Sequence, residues 1–298
     1  MPEPGAGAGA GEPRRPFALL GTRSCAVIAN SESGTYRLIK ILDEAGPRPT
    51  PGQFYMLTCV EGWGGKHGRP YLPRAFSFAQ ATQSATGLEL TFLADDVGPG
   101  TARLVGLAPG DELSIMGPLG AGFSDPRSLN KSGAGAILVG GGIGVAPLAA
   151  LRASLRESGT AISTLLGYLG TARHGGLELF SSAGSLCSGV RLASEDGSLG
   201  HQGYVTDLLA MMLAGDDVQS AAVYACGPPA MLEAVRILCA ERGVVAELAL
   251  EAPMACGYGA CMGCAVPLPG GGFMRLCIDG PVVRAEDIET ALVAGSGH

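Results

Sequence analysis

Clustered positive charge is what this chain lacks. Its 298 residues carry 20 Lys and Arg against 27 Asp and Glu, a formal net charge of −7 at pH 7. Phosphate backbones are held by clustered Lys and Arg, so nucleic acid is excluded as a main partner. Histidine is scarce as well. His67, His174, His201 and His298 are the four, and they do not cluster. Each reads as a surface or packing residue, which leaves no histidine-centred metal site and no obvious general base. A secretory leader is also missing. Residues 1–15, MPEPGAGAGAGEPRR, read as a disordered tail without an apolar segment before a small-residue cleavage site. There is no clean membrane span either. The uncharged run GAGAILVGGGIGVAPLAAL at 133–151 is broken by repeated Gly and by Pro147. It predicts a buried strand, a tight loop and a helix start rather than a lipid-facing helix. These absences point to the cytoplasm, where clustered cysteines bind metal or do redox work more often than they pair as disulfides.

What is abundant is apolar residues, at 47%, and glycine, at 48 positions. A chain of this length has room for two or three domains. Residues 17–125 hold short strand-like runs, CAVIAN, TYRLIKIL, QFYMLTCV, AFSFAQA and LELTFLA, separated by Gly, Pro and Ser. That rhythm predicts a small antiparallel barrel. Residues 133–247 change rhythm. GAILVGG, AISTLLGYLG, SAAVYACGP and VVAELALE read as strands. APLAALRASLRES, GYVTDLLAMMLAG (after a strand end) and PAMLEAVRILCAERG read as helices. Alternation of this kind predicts a doubly wound parallel sheet. A Cys-rich module follows. The expected division is a tail at 1–15, a barrel domain at 16–127, an α/β domain at 128–249 and an end module at 250–298.

Several loops are built to hold anions. Gly140, Gly141, Gly142 and Gly144, then Ala146 and Pro147, lie between a buried strand and a helix start. Gly allows close backbone approach, and the helix N-terminus offers unpaired N–H groups to a pyrophosphate. Taken alone, such a turn also fits an ordinary tight connection. Cys226, Gly227 and Pro228 lie at the carboxyl end of a later strand, where ligands of open parallel sheets bind. In the barrel section, PRAFSFA places Arg74 and Ser77 together on a strand. DDVGPGTARL sets Gly98, Gly100 and Thr101 before a helix start, and GPLGAGF at 117–123 is a further Gly-rich turn.

The sharpest signal is Cys256, Cys261, Cys264 and Cys277, spaced C-x4-C-x2-C-x12-C. This is the plant-type [2Fe–2S] spacing. Small residues between the first three, Gly257, Gly259, Ala260 and Gly263, let one loop wrap a compact cluster. AVPLPGGGFMRL reads as a hairpin returning the fourth sulfur. A four-cysteine zinc site usually pairs two C-x2-C knuckles, and only one is present. Of the other cysteines, Cys25, Cys59, Cys187 and Cys239 read as buried small apolar residues. Cys226 reads as a packing group in its loop. Met254, Met262 and Pro253 are candidates either for an exposed partner surface or for packing on the barrel.

The order RAFS, GPGT, GPLGAGF, GGGIGVAPL, EDGSLGHQGYVTDLL, CGPPAM resembles the ferredoxin-reductase-like flavoproteins. With MACGYGACMGC and RLCIDGPV at the end, the chain resembles specifically the electron-transfer subunits of NAD-linked, class B dihydroorotate dehydrogenases, over about residues 17–290. The resemblance implies an FAD-binding barrel, an NAD-binding α/β domain and a C-terminal [2Fe–2S] module. It implies FAD contacts from Arg74, Ala75, Phe76 and Ser77, with Ala75 where the family usually has Pro. Leu93, Ala94, Asp95, Gly100 and Thr101 would also line the flavin. The Gly140–Pro147 and Cys226–Pro228 loops would face the nicotinamide dinucleotide, with Asp196, Gly197 and Thr206 on the same side. It implies an FMN-containing dihydroorotate dehydrogenase catalytic subunit as partner, in a heterotetramer serving pyrimidine biosynthesis. The rival expectations are a related FAD/[2Fe–2S] reductase of a sulfur-reducing, hydrogenase or ferredoxin-linked complex, and a nucleotide-binding module with structural zinc. Arg173 and His174, in GYLGTARH, favour a 2′-phosphate on fingerprint logic, against the family's preference for NAD.

Overall fold

The computed structural model describes residues 21–64, 70–130, 135–182, 184–215 and 221–296. The tail at 1–15, His67 and His298 lie outside the described residues. Six strands come first: β1 (Arg23–Ser33), β2 (Tyr36–Asp43), β3 (Phe54–Cys59), β4 (Arg74–Gln83), β5 (Leu88–Ala94) and, after helix α1 (Pro99–Val105), β6 (Glu112–Leu119). They close into a barrel in the order β1-β2-β5-β4-β3-β6, every pair antiparallel. The barrel forms because its strands carry β-branched and aromatic residues at inward positions. Val27, Ile39, Ile41, Tyr55, Leu57, Phe78, Leu90, Phe92 and Ile115 fill its interior. Tyr55 meets Phe92 edge to face at 5.6 Å. Arg23 closes one mouth, pairing with Asp43 at 2.7 Å and donating to the Gly117 carbonyl at 2.8 Å.

A short helix α2 (Pro126–Leu129) leads to the second body: β7 (Gly135–Gly141), α3 (Val145–Glu157), β8 (Ala161–Tyr168), the small hairpin β9 (Ser181–Ser182) and β10 (Ser185–Leu186), β11 (Val190–Ser194), β12 (His201–Gln202), α4 (Val205–Leu213), β13 (Ala221–Cys226), α5 (Pro229–Arg242) and β14 (Ala246–Ala249). The C-terminal stretch adds β15 (Ala265–Pro267), β16 (Phe273–Arg275) and β17 (Val282–Arg284). The large sheet runs β12-β11-β8-β7-β13-β14-β17, parallel except for β17. The chain moves outward from β7 in one direction, then returns to its other side at β13. The switch point therefore lies between β7 and β13, where an open sheet leaves a crevice beyond its carboxyl ends.

Among the strands that were not anticipated, two bear on the architecture. β11 is five residues long, with its apolar and polar positions interleaved between turn-rich segments. β17 begins next to Pro281 and lends the edge of the nucleotide sheet a strand from the Cys-rich region. Leu276, Cys264 and Cys277 accordingly share one apolar core with β13, β14 and the barrel residues Phe54, Met56 and Leu119. The end module is thus wedged between the other two bodies. The third Gly-rich barrel loop serves as the joint. The Ala121 N–H donates to the Gly280 carbonyl, the Ser124 N–H and hydroxyl donate to buried Glu247 at 2.8 and 2.6 Å, and Phe123 packs edge to face on Tyr224 at 5.6 Å.

Candidate functional site

The two nucleotide loops lie side by side. β7 and β13 are neighbours with Gly140 opposite Cys226, so both loops leave the sheet at the switch point. Their backbones touch. A methyl group on Gly144 would lie 2.6 Å from the Cys226 carbonyl carbon and from Gly227 Cα, and one on Gly227 would lie 2.9 Å from the Gly141 nitrogen. Gly142 has φ of +54°, a conformation that glycine adopts freely. Three residues of 3₁₀ turn then deliver Val145 and Ala146 into α3, with Pro147 in its first turn. The result is a close glycine joint at the N-terminus of α3, whose unpaired N–H groups suit a pyrophosphate. Cys226 is half-buried, and burial pushes its thiol up to about 12. It stays neutral at pH 7.

α3 packs on β4, and Val145 and Ala146 share a core with Ala79 and Leu93 of the barrel. The glycine joint therefore abuts the strands that carry Arg74–Ser77 and Leu93. Arg74 begins β4. Its guanidinium lies over Trp63, 5.8 Å from the ring centroid, and donates to the Leu72 carbonyl at 2.7 Å. A methyl on Gly100 would be 2.6 Å from Arg74 Nε, so only glycine lets the cation rest on the first turn of α1. Thr101 steadies that turn by accepting from the N–H groups of Val97 and Gly98 at 2.9 and 3.0 Å. Arg74, Gly100 and Thr101 thus meet as one cationic, N–H-rich corner. Ser77 lies on the same strand opposite Phe54, with exposed Ala75 and half-buried Phe76 between it and Arg74. Leu93 and Ala94 are buried at the end of β5, and Asp95 follows them. Asp95 turns to the nucleotide body, where it pairs with Arg173 at 2.7 Å. That pair was not legible in sequence, because 78 residues separate its members.

Asp196 follows β11 and accepts from the Ser198 N–H and hydroxyl at 2.9 and 2.6 Å, which hold it below the usual carboxylate range. Its N–H reaches the Leu169 carbonyl, so Asp196 and Gly197 stand beside the loop that ends β8. Thr206 is half-buried in the first turn of α4, whose Val205 covers Gly167 of β8.

Among the four cysteines, Cys256 interacts with Cys261, and Cys277 with Cys264 first and with Cys256 more weakly. The first pair is half-buried and exposed; both members of the second are buried. Burial raises the Cys256 thiol, but the N–H groups of Cys261, Tyr258 and Ala260 turn toward it and bring it down to about 6. Burial, and then Cys264 beside it, push the Cys277 thiol up to about 12. The Gly263 N–H donates to Cys261 Sγ at 3.5 Å and the Cys277 N–H to Cys264 Sγ at 3.4 Å. Backbone N–H groups turned toward these sulfurs favour thiolates, and the four cysteines would together hold a two-iron cluster. The loop rests on the barrel: a methyl on Gly257 would lie 2.9 Å from Met56 Sδ in β3. Of the two methionines, Met254 packs into the shared core and Met262 is 50% exposed, with a left-handed φ of +60°. Cys25, Cys59 and Cys239 are buried as expected; Cys187 is not.

The sequence matches two family models. Residues 251–289 match the iron-sulfur cluster binding domain of dihydroorotate dehydrogenase B, and residues 138–237 the oxidoreductase NAD-binding domain. The chain is 35% identical over 247 residues to a dihydroorotate dehydrogenase B (NAD(+)) electron transfer subunit from Caldanaerobacter subterraneus subsp. tengcongensis, covering 82% of this chain and 88% of that one. A protein of the same description from Geobacillus thermodenitrificans is 35% identical over 240 residues, covering 80% and 86%. Among solved structures, one described as the NADH-dependent reduced ferredoxin-NADP oxidoreductase superposes with a TM-score of 0.74 at 25% identity, covering 91% of this chain and 92% of that one. With these matches spanning the barrel, the nucleotide sheet and the cysteine loop, the chain belongs to the family of NAD(+)-dependent dihydroorotate dehydrogenase B electron transfer subunits.

Proposed function

We infer that this chain is the electron-transfer subunit of an NAD-linked dihydroorotate dehydrogenase, an oxidoreductase component with FAD, a [2Fe–2S] cluster and NAD as its redox groups. When bound, these groups carry electrons from dihydroorotate oxidation in the partner subunit to NAD+, with the flavin joining one-electron and two-electron chemistry. The partner is an FMN-containing catalytic subunit in a heterotetramer, and the setting is pyrimidine biosynthesis in the cytoplasm. Among the described residues no helix is long and apolar enough to cross a membrane.

One observation carries the reading. Met56, against which the cysteine loop rests, is paired in the barrel with Ala75 of the flavin motif. A single strand spacing, about 5 Å, therefore separates the strand under the cluster loop from the strand of the FAD site. α3, which follows the Gly140–Gly144 loop, also packs on β4. This supports a reading in which the residues proposed for the cluster, the flavin and the dinucleotide lie near one another on the barrel.

The residues divide the work as follows. Cys256, Cys261, Cys264 and Cys277 hold the cluster, the first two toward solvent and the last two toward the barrel. Arg74, with Gly100 and Thr101, holds the FAD pyrophosphate. Ala75, Phe76, Ser77, Leu93, Ala94 and Asp95 line the flavin. Gly140, Gly141, Gly142, Gly144, Ala146 and Pro147 receive the dinucleotide, and Cys226, Gly227, Pro228 and Asp196 flank it. The proposed boundaries remain 16–127, 128–249 and 250–298, with β17 lent by the last unit to the sheet of the second. No side chain of this chain is assigned a proton-transfer role on dihydroorotate.

The test is dihydroorotate-dependent NAD+ reduction by the complex captured anaerobically from its native cell with this chain as bait. NADH formation that is lost with Cys261→Ser supports the assignment. A coloured complex inert to dihydroorotate moves the function to another reductase of the same architecture.

A further inference from the structure

Cys187 departs from its sequence expectation. It lies in the turn after β10, half-exposed, with its N–H on the Phe180 carbonyl at 3.0 Å. Two arginines of α3, one helical turn apart, face it. Arg156 Nη1 stands 3.7 Å from Cys187 Sγ. Arg152 is buried, at 6% exposure, with Nη2 3.5 Å from the Ser188 carbonyl oxygen and Nε sealed from water without a hydrogen-bond partner. Among the described residues neither arginine forms an ion pair with a carboxylate.

A buried guanidinium without a counter-charge is costly, and a nearby acid that ionises offsets part of that cost. The thiol of Cys187 is such an acid. Arg152 is the strongest influence on it and Arg156, which donates to its sulfur, adds to it, so its proton is held less tightly than that of an ordinary cysteine. Among the described residues no acidic group is among the main influences acting on it. Arg156, exposed at the rim, leaves its remaining N–H groups free to grip a carboxylate in bidentate fashion.

We propose that Cys187 is a modification site that undergoes thiol–disulfide exchange with a low-molecular-weight disulfide bearing carboxylates. The Cys187 thiolate attacks one sulfur of the disulfide. A protein–S–S–R bond forms, the R–S–S–R bond breaks, and RS⁻ leaves. The protein sulfur is oxidised, the small disulfide is reduced, and the thiol proton has already passed to solvent; no other oxidant takes part. Burial holds Arg152 in place, so the site is preformed and the reacting sulfur is the exposed member.

The experiment treats the intact, cofactor-loaded complex with oxidised glutathione or with cystamine, which carries amines instead of carboxylates, and maps adducts by mass spectrometry. The expected result is one principal adduct at Cys187, absent in Cys187→Ser. With oxidised glutathione it forms about threefold or more slower at pH 7 in Arg156→Gln, whose exposed side chain leaves the fold intact. It forms faster with oxidised glutathione than with cystamine, and its half-maximal rate falls at a lower pH than that of free cysteine. Equal rates in Arg156→Gln and the parent chain, equal rates with both disulfides, a half-maximum at or above that of free cysteine, or labelling of other cysteines while Cys187 stays free would each overturn the proposal.

Discussion

The Arg173 guanidinium meets the Asp95 carboxylate at 2.7 Å across the seam between barrel and nucleotide sheet. The hydrogen bond to Asp95 raises the Arg173 pKa above its ordinary value. The arginine that fingerprint logic offered to a 2′-phosphate is thus already committed to a carboxylate on the barrel side. Thr35, Asp96, Val97 and Ala172 line the same open cleft, and its two acidic residues, Asp95 and Asp96, disfavour a phosphate there.

Arg173→Ala is therefore expected to leave NADH oxidation with a dye acceptor within about twofold of the parent and to leave the NADH:NADPH preference unmoved. The pair is half-exposed, so its loss costs about 1 kcal/mol or less. A selective drop in NADPH use would show instead that Arg173 serves as a phosphate ligand.

Gly144→Ala is expected to cripple dinucleotide binding while sparing the flavin spectrum. Its methyl would press on the Cys226 carbonyl and Gly227 Cα, both backbone, and backbone cannot step aside as a side-chain tip can. Overpacking of this kind costs ~1–3 kcal/mol. The measurement is the KM for NADH beside the FAD content of the purified chain; a KM within twofold of the parent contradicts the tight joint.

How much was legible beforehand varied with the kind of signal. The barrel strands announced themselves through clean runs such as LELTFLA, and the cysteine spacing through its own regularity. β11 and β17 escaped because short strands at a sheet's flank need few apolar residues of their own. The Gly-rich loops and the Arg74–Ser77 strand could be picked out one by one, but their meeting at β4 depends on tertiary pairing that no local pattern encodes. Cys187 was misread for the same reason. A cysteine in SSAGSLCSG looks inert until Arg152 and Arg156, more than thirty residues upstream, are placed beside it.

Glu247 makes the joint between barrel and sheet sensitive to pH. Burial lifts its carboxyl above the ordinary value of 4.5, against the opposing pull of the Ser124 hydrogen bonds and of Arg284. A group raised in the folded state gives stability that is complete below the unfolded value and is lost as pH climbs through the folded one. Melting temperature is therefore expected to fall as pH rises from about 4.5 through that raised value, and Glu247→Gln to flatten the slope. The amide keeps both contacts, its oxygen accepting from the Ser124 N–H and its nitrogen donating to the hydroxyl. An unchanged slope in the variant would assign the pH dependence elsewhere.

The cysteine pairs are expected to differ when mutated. Cys261→Ser removes an exposed sulfur and should bleach the cluster's visible bands with little change in melting temperature. Cys277→Ser places a hydroxyl in the core shared by all three units and should cost a further ~1–3 kcal/mol. Scanning calorimetry of the two variants, each already without cluster, separates the cases; equal melting temperatures would contradict the inner and outer arrangement.

The central claim is that this chain joins two half-reactions through a cluster site and a flavin site set one strand apart. The most direct measurement compares NADH oxidation by a dye acceptor with dihydroorotate-driven NAD+ reduction, both in the reconstituted complex carrying Cys261→Ser. The account predicts that the first activity survives, because the flavin and nucleotide sites are untouched, while the second falls to background. Loss of both, or survival of both, would contradict the relay.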